Sequence, residues 1–267
     1  MIIPILIALV ALAFASRTAS ATEHGTTSFP SGGDDFLVAA MPPPGWYGIV
    51  YGNRYTADEI DLRVNAIALR LDWVKPVTIF GADRWGTLVV LPLLAISTPG
   101  GSRRGAGDLV FGNGLHWTFG GYHAMLAADV VFPTGGKDLG RNQWVLRINH
   151  MGTCFPTERW DISYRVHTDI NFRNRDTGYR SGQTVYLNLA TGWKPAPATT
   201  IGVSSYALQQ VTDDDPGGNR IAVRGIGPAV KHFFSNGAFV TASWYRESGA
   251  RNRPHGDNVW LYVGKNF

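Results

Sequence analysis

The chain has 267 residues, of which 12% are aromatic, 16% are charged and 32 are glycine, and its formal net charge is +4. A mean hydropathy of -0.05, together with a mature region that lacks an apolar run of ~20 residues, excludes a bundle of membrane-spanning helices. The mild charge without a basic run gives no indication of a nucleic-acid partner, and a single cysteine, Cys154, excludes an intrachain disulfide.

Residues 1–21 are predicted to be a signal peptide. Residues 2–15 form an apolar stretch too short to cross a membrane as a helix, and Ala19-Ser20-Ala21 then offers a small-x-small cleavage site. The stretch has no Lys or Arg before it, which departs from the usual pattern, and a buried strand or helix is the alternative. We therefore expect an exported protein whose mature chain begins at Thr22.

Residues 22–44 are rich in Gly, Ser and Pro and contain a short apolar patch from Phe36 to Ala40. This composition fits either a small plug folded into the periplasmic mouth of a barrel or a flexible tail. We predict an N-terminal periplasmic or plug segment over 22–44, followed by an outer-membrane β-barrel over 45–267.

The mature chain contains about twelve predicted strands, an even number that is usual for bacterial barrels. Their expected spans are 45–53, 60–74, 85–96, 107–119, 122–132, 143–152, 159–173, 182–193, 198–210, 220–231, 237–248 and 257–267. Short turns alternate with longer polar loops, which are predicted at 97–106, 133–142, 174–181, 211–219 and 249–256. Short periplasmic turns and longer extracellular loops are typical of an antiparallel outer-membrane barrel.

The segment from Trp160 to Arg173 shows the strand pattern most clearly. Apolar and polar residues alternate along its whole length, so one face is apolar and the other is charged. It exceeds the ~9–11 residues that a tilted strand needs to cross a bilayer. We therefore predict that the apolar face contacts lipid and the polar face lines a wet lumen.

By the same alternation, polar side chains of several strands are expected to point into the lumen. These lumen-lining candidates are Arg147, Asn149, Arg165, His167, Asp169, Arg173, Tyr186, Arg224 and Tyr245. Guanidinium groups bind carboxylates in a forked geometry, so this lumen would favour anions such as aromatic or fatty carboxylates. Alternatively, the cations pair with acids such as Asp129 and Asp161 and merely fill a narrow barrel.

The predicted strand 85–96 is apolar on both faces and contains Pro92, which cannot donate a ladder hydrogen bond. One interpretation is a lateral opening in the wall through which an apolar substrate leaves. The other is a bulge packed against an apolar lumen.

Five short motifs, in this order, resemble one family. They are Thr22-Glu23-His24-Gly25, Pro42-Pro43-Pro44-Gly45, Gly105-Ala106-Gly107-Asp108, Pro133-Thr134-Gly135, and Tyr179 followed by Ser181-Gly182. Over residues 22–267 the chain resembles the outer-membrane family labelled "meta-pathway of phenol degradation", which is similar in outline to barrels that take up hydrophobic compounds. The resemblance implies a channel for small hydrophobic or aromatic compounds.

The prediction is therefore a non-enzymatic outer-membrane channel, with a small hydrophobic or aromatic ligand and without a metal or other cofactor. Outer-membrane lipids are expected partners of the apolar exterior. The barrel-assembly machinery is the other expected partner, because the terminal Phe267 resembles the assembly signal of such barrels. The alternatives are a lipid-modifying hydrolase of the outer membrane, a lipid-responsive structural barrel and a soluble periplasmic β-sandwich. The histidines are scattered without a nucleophile motif, and the strands are long for a sandwich.

Overall fold

The computed structural model describes residues 27–267, so the predicted signal peptide at 1–21 lies outside the described residues. The described chain forms thirteen β-strands and one 3-10 turn, Asp58–Ile60. No helix in this part of the chain is long and apolar enough to cross a membrane. The strands are β1 (Gly45–Ala57), β2 (Leu62–Pro76), β3 (Arg84–Thr98), β4 (Gly101–Ala106), β5 (Val110–Phe119), β6 (Tyr122–Val131), β7 (Val145–Thr157), β8 (Trp160–Asn171), β9 (Thr184–Ala196), β10 (Thr199–Gln210), β11 (Ala222–Phe233), β12 (Phe239–Arg251) and β13 (Asp257–Asn266).

The strands form one closed antiparallel barrel. Strand β1 pairs with both β2 and β13, with Val50 opposite Leu69 on one side and Val263 on the other. Strands β4 and β5 both pair with β3 and together make one barrel strand, so the described barrel has twelve strands. Closure allows the backbone groups to pair within the protein, as a bilayer requires. The predicted fold class is confirmed.

The chain between β3 and β5 differs from the prediction. The sequence predicted a loop at 97–106, but β4 continues the hairpin, with Thr98 opposite Gly101 and Leu93 opposite Ala106. Leu91 and Pro92 then oppose residues 107–109, so the partner strand has a one-residue bulge. The Gly107 amide donates to the Pro92 carbonyl at 2.8 Å. Pro92 therefore lies in a regular strand, opposite the bulge.

Most connections alternate in length as predicted, except that residues 99–100 make a short turn at the long-loop end and residues 77–83 a longer connection at the short-turn end. Residues 120–121, 158–159 and 197–198 make short turns at the end of the barrel that holds the start of β1 and the end of β13. Longer connections at 132–144, 172–183 and 211–221 lie at the other end. Since outer-membrane barrels have short periplasmic turns, we refer to the short-turn end as the periplasmic end.

The polarity of the barrel is inverted relative to a soluble protein. On β8, Ser163 and His167 are buried at 0% and 1% exposure, whereas Ile162 and Val166 are exposed at 41% and 37%. The alternation predicted for this strand is therefore confirmed, with a polar interior and an apolar exterior. Tryptophans lie near the periplasmic strand ends on several strands, namely Trp46, Trp73, Trp85, Trp117, Trp160 and Trp193. This arrangement is the expected aromatic girdle.

Candidate functional site

The N-terminal segment, defined here as residues 27–44, lies inside the barrel. Three of its backbone amides donate to inward-facing side chains: Gly32 to the Tyr186 hydroxyl at 3.0 Å, Leu37 to Ser163 Oγ at 2.8 Å, and Ala39 to Thr153 Oγ1 at 3.1 Å. The acceptors belong to β9, β8 and β7, so the barrel wall satisfies backbone groups that the irregular segment cannot pair by itself.

A glycine is required where this segment approaches the opposite wall. Gly32 adopts a φ of 84°, and an added Cβ would lie 2.9 Å from the Tyr245 ring and 3.1 Å from the Trp260 indole nitrogen. A side chain at this position would be strained and would have to displace an aromatic ring. The Tyr245 hydroxyl also donates to the Asp34 carbonyl at 3.2 Å. Tyr245 therefore faces the lumen as predicted and contacts the segment.

Two ion pairs anchor the middle of the segment. Asp34 accepts from Arg165 of β8 at 2.7 Å, and Asp35 accepts from Lys231 of β11 at 2.9 Å. The Lys231 ammonium also donates to the Phe36 carbonyl at 2.9 Å. Phe36 is only 1% exposed and packs against Ala190 and Ala229. Charge-assisted bonds and apolar packing together hold residues 34–36 across the lumen.

Phe29 lies in a cage of aromatic and cationic side chains. Its ring centroid is 4.5 Å from that of His167 and 4.9 Å from that of Tyr186. The guanidinium carbons of Arg147 and Arg165 lie 4.8 Å and 5.1 Å from the same centroid. Cations attract the negative faces of aromatic rings, and neighbouring rings favour tilted contacts. The cage suits a six-membered aromatic ring.

The cations of the cage are neutralised by neighbouring acids. Arg147 donates to both oxygens of Asp169, at 2.7 Å and 3.0 Å, and lies 3.9 Å from Asp129. Arg165 pairs with Asp34 and donates to Asn149 Oδ1 at 3.1 Å. The predicted preference for anions required free guanidinium groups, and those of Arg147 and Arg165 are bound to acids. This pairing supports the alternative in which the inward charges compensate one another.

His167 carries unused hydrogen-bonding capacity. Its side chain is 1% exposed, and both ring nitrogens are buried without a hydrogen-bond partner. Nε2 lies 3.7 Å from Asp169 Oδ1, which is beyond hydrogen-bond distance. A neutral imidazole offers one hydrogen-bond donor and one acceptor. The Phe29 ring that occupies the cage can pair with neither.

A second space lies between the segment and the opposite wall. This cavity of about 520 Å³ is bounded by residues of the segment, by β1, β2, β3, β5 and β6, and by β11, β12 and β13. Apolar side chains such as Ile49, Val74 and Leu88 contribute to its lining. The lining also includes Arg70 and Asp72, which form a 2.9 Å ion pair. Lys231 of the lining is paired with Asp35 at 2.9 Å, whereas Lys265 makes no ion pair among the described residues. Small apolar molecules fit the apolar part of this lining, where the charges of Arg70 and Asp72 neutralise each other.

The structure gathers six of the nine predicted lumen residues around Phe29. Arg147, Arg165, His167 and Tyr186 contact the ring directly, while Asp169 and Asn149 orient the two arginines. Tyr245 also faces the lumen but contacts the segment at Gly32 and Asp34.

Two of the predicted positions are wrong. Arg173 lies beyond the end of β8, where its side chain is 56% exposed and binds Asp215 at 2.5 Å. Arg224 is exposed on the outward phase of β11, since Val223 and Gly225 are the buried residues beside it. A shift of one residue turns a strand side chain to the opposite face, and the pairing of β11 with β12 is irregular between Ala222 and Arg224.

Sequence reasoning missed the residues that the segment contributes to the site. Phe29, Asp34 and Asp35 lie in an aperiodic stretch, and their partners are more than a hundred residues away. Ser28, also missed, donates to Asp169 at 2.9 Å. One signal in the sequence could have found them. Asp34 and Asp35 directly precede the apolar patch from Phe36 to Ala40, and the barrel was predicted to carry inward cations with which such acids can pair.

The fold and the filled lumen define an outer-membrane-type β-barrel with an internal N-terminal segment. The chain belongs to the family described as "Putative MetA-pathway of phenol degradation", whose model matches residues 49–263. The family resemblance inferred from the motifs is confirmed. No curated protein matches the chain.

Solved structures of outer-membrane barrels share the fold. The COG4313 outer membrane channel from Pseudomonas putida F1 is 18% identical and superposes with a TM-score of 0.81, over 88% of this chain and 99% of that one. The CymD monoaromatic hydrocarbon channel is 8% identical, with a TM-score of 0.54 over 86% and 90%. The β domain of the Bordetella autotransporter BrkA is 15% identical, with a TM-score of 0.54 over 84% and 99%.

Proposed function

We propose that this protein is an outer-membrane channel for small hydrophobic or aromatic compounds, without an enzymatic step, whose uptake is linked to aromatic degradation. The observation that carries the proposal is the 520 Å³ cavity beside the N-terminal segment, where apolar side chains such as Ile49 and Leu88 lie beside the paired charges of Arg70 and Asp72. Support also comes from the family description and from the name of the similar monoaromatic hydrocarbon channel.

In this proposal, neutral compounds pass through the lumen faster than anionic compounds. Arg147 and Arg165 are bound to Asp169 and Asp34, so a carboxylate would have to compete with a protein carboxylate at short distance. A neutral phenol or arene meets no such competition. At neutral pH we therefore expect phenol to cross faster than benzoate, and faster uptake of benzoate would contradict this preference.

The test is the initial rate of uptake of radiolabelled phenol by Gram-negative cells that express the chain. Leu88→Trp places a bulky ring into the cavity, whereas Leu91→Trp places the same ring on the outward face of the same strand, where Leu91 is 37% exposed. We expect the Leu91→Trp rate to match wild type and the Leu88→Trp rate to fall toward that of cells with an empty vector.

Two results would contradict the channel proposal. One is a wild-type rate equal to the empty-vector rate, and the other is equal rates for the two tryptophan variants. Heat-modifiable migration on gels serves as the control for folded barrel in each strain, so that a low rate is not mistaken for poor assembly.

We infer an outer-membrane location, export through the predicted signal peptide, and contact with outer-membrane lipids. Support comes from the exposed apolar exterior, where Leu69 and Leu261 are 46% and 53% exposed. Insertion by the barrel-assembly machinery is part of the same inference, since β13 closes the barrel on β1 and the Phe267 amide donates to the Trp46 carbonyl at 3.0 Å. The lateral exit at Pro92 stays a prediction.

A further inference from the structure

We propose that the phenyl ring of Phe29 occupies a binding site for a hydroxyl-bearing aromatic ring, and that such a ligand displaces Phe29 from its cage. The inference deepens the proposed channel function and rests on it for its biological meaning. It places the recognition of an aromatic ligand in the cage around Phe29, and it makes the Phe29 side chain a competitor of that ligand.

The shape and chemistry of the cage carry the first part of the argument. Two rings and two guanidinium groups surround one phenyl ring, with centroid distances between 4.5 Å and 5.1 Å. The cage residues belong to β7, β8 and β9, which pair in regular register around Arg147, Arg165 and Tyr186. The cage is therefore built on the rigid wall, while its occupant comes from the irregular segment.

The second part of the argument rests on His167, because the neighbouring Phe29 ring cannot form a hydrogen bond with its imidazole. A phenyl ring has no hydrogen-bonding group, and both nitrogens of this buried imidazole are without a partner. A hydroxyl on a ring of the same size could donate to one nitrogen or accept from the other. A hydroxylated ring in the place of the phenyl ring would offset the cost of the unmade hydrogen bond of His167, which the phenyl ring leaves in place.

The anchoring of the segment indicates how far the displacement extends. Phe29 is partly exposed and lies at the start of the segment, where Ser28 binds Asp169 and Arg147 at 2.9 Å and 3.3 Å. Phe36 is almost fully buried, and the ion pairs of Asp34 and Asp35 lie beside it. Ligand binding therefore moves residues 27–30 and leaves residues 34–39 docked.

The experiment measures binding of 4-fluorophenol to the purified full-length protein by fluorine NMR titration. Phe29→Ala empties the cage, and we expect the apparent affinity for 4-fluorophenol to rise at least about tenfold, since the vacant cage is a minor state in wild type. Adding His167→Leu to Phe29→Ala should abolish the preference for 4-fluorophenol over fluorobenzene. Phe29→Leu serves as a second variant if the alanine variant does not assemble.

Phe36→Ala is the matched variant, because it removes the same ring from the same segment outside the cage. An equal gain in affinity for Phe36→Ala and Phe29→Ala overturns the inference, as does unchanged affinity in Phe29→Ala or an unchanged preference after His167→Leu. Binding and uptake are separate measurements. If cells take up phenol but Phe29→Ala binds 4-fluorophenol no more tightly than wild type, the inference about Phe29 is refuted and the channel proposal stands. If Phe29→Ala binds more tightly but cells take up no phenol, the channel proposal is refuted and the inference about Phe29 stands.

Discussion

Asp34 and Arg165 form a 2.7 Å ion pair across the lumen although 131 residues separate them in the chain. Both side chains are about nine-tenths buried, at 10% and 11% exposure. The pair ties the N-terminal segment to β8, and Arg165 also lies over the ring of Phe29. One side chain of the wall thus holds the segment by charge and by contact with an aromatic face.

Loss of this ion pair is expected to loosen the segment. Arg165→Gln leaves Asp34 without its cation, which should weaken docking by about 1.5–3 kcal/mol and raise the mean single-channel conductance in planar bilayers. Arg173→Gln is the control, because Arg173 pairs with Asp215 in an exposed loop. If conductance in Arg165→Gln equals that of the control, the ion pair does not hold the segment.

Removal of residues 27–40 is expected to raise the conductance several-fold. Among the described residues, this stretch supplies Phe29, Asp34, Asp35 and Phe36, which together fill the lumen beside the cavity. Deletion of Gly217-Gly218 from an exposed loop is the control. Unchanged conductance after the larger deletion would mean that the segment is a tail without an occluding role.

Arg147→Met is expected to lower the free energy of unfolding by about 3–5 kcal/mol, because it leaves Asp169 and Asp129 buried without their shared cation. Urea unfolding in detergent, followed by tryptophan fluorescence, measures the change. Arg224→Met is the matched control on the outward face and should stay within about 0.5 kcal/mol of wild type. A loss below 1 kcal/mol in Arg147→Met would show that the acids find other partners.

Gly152→Ala is expected to destabilise the barrel by about 1–3 kcal/mol. The Tyr164 ring lies directly over Gly152, and its hydroxyl bonds that of Tyr122 at 2.9 Å. An added methyl group would push the ring away and lengthen that bond. Gly100→Ala, in an exposed turn, is the comparison, and equal thermal midpoints for the two variants would contradict the close packing described.

Pro92→Ala tests the lateral exit. If the proline marks an opening in the wall, the variant restores an amide donor to β3 and should slow phenol uptake without changing binding of 4-fluorophenol. The matched variant is Leu91→Ala on the same strand. Equal uptake by Pro92→Ala and wild type would contradict the lateral exit. Pro92 would then be a proline that the strand tolerates opposite the bulge at residues 107–109.

The alternation of residues along β8, together with the repeated strands and turns, predicted the barrel and the β8 part of the site. Its polar phase runs through Arg165, His167 and Asp169, and all three contribute to the cage or its support. The prediction worked because a strand has only two faces, and because lipid and lumen impose opposite polarity on them.

The same reasoning failed where a strand ends or its phase is ambiguous. Arg173 continues the pattern of β8, but the strand stops at Asn171. Arg224 lies near the long-loop end of β11, where an outward cation is tolerated because it can reach the polar boundary of the membrane. The six residues of β4 are all exposed, so their polar composition resembled that of a loop.

The occupant of the cage could not be predicted, because Phe29 belongs to no periodic element. Its position follows from the hydrogen bonds and ion pairs that the segment makes with many strands. Such contacts depend on the closed tertiary structure, and local sequence carries no signal of them.

The position of the segment also has a consequence for folding kinetics. Ser31 accepts hydrogen bonds from Asn258 and Trp260, partners 227 and 229 residues away. Contacts of such separation form slowly, because a long loop must close before they contribute. The part of the described chain that is synthesised first therefore completes its contacts last, after the final strand, β13, is in place.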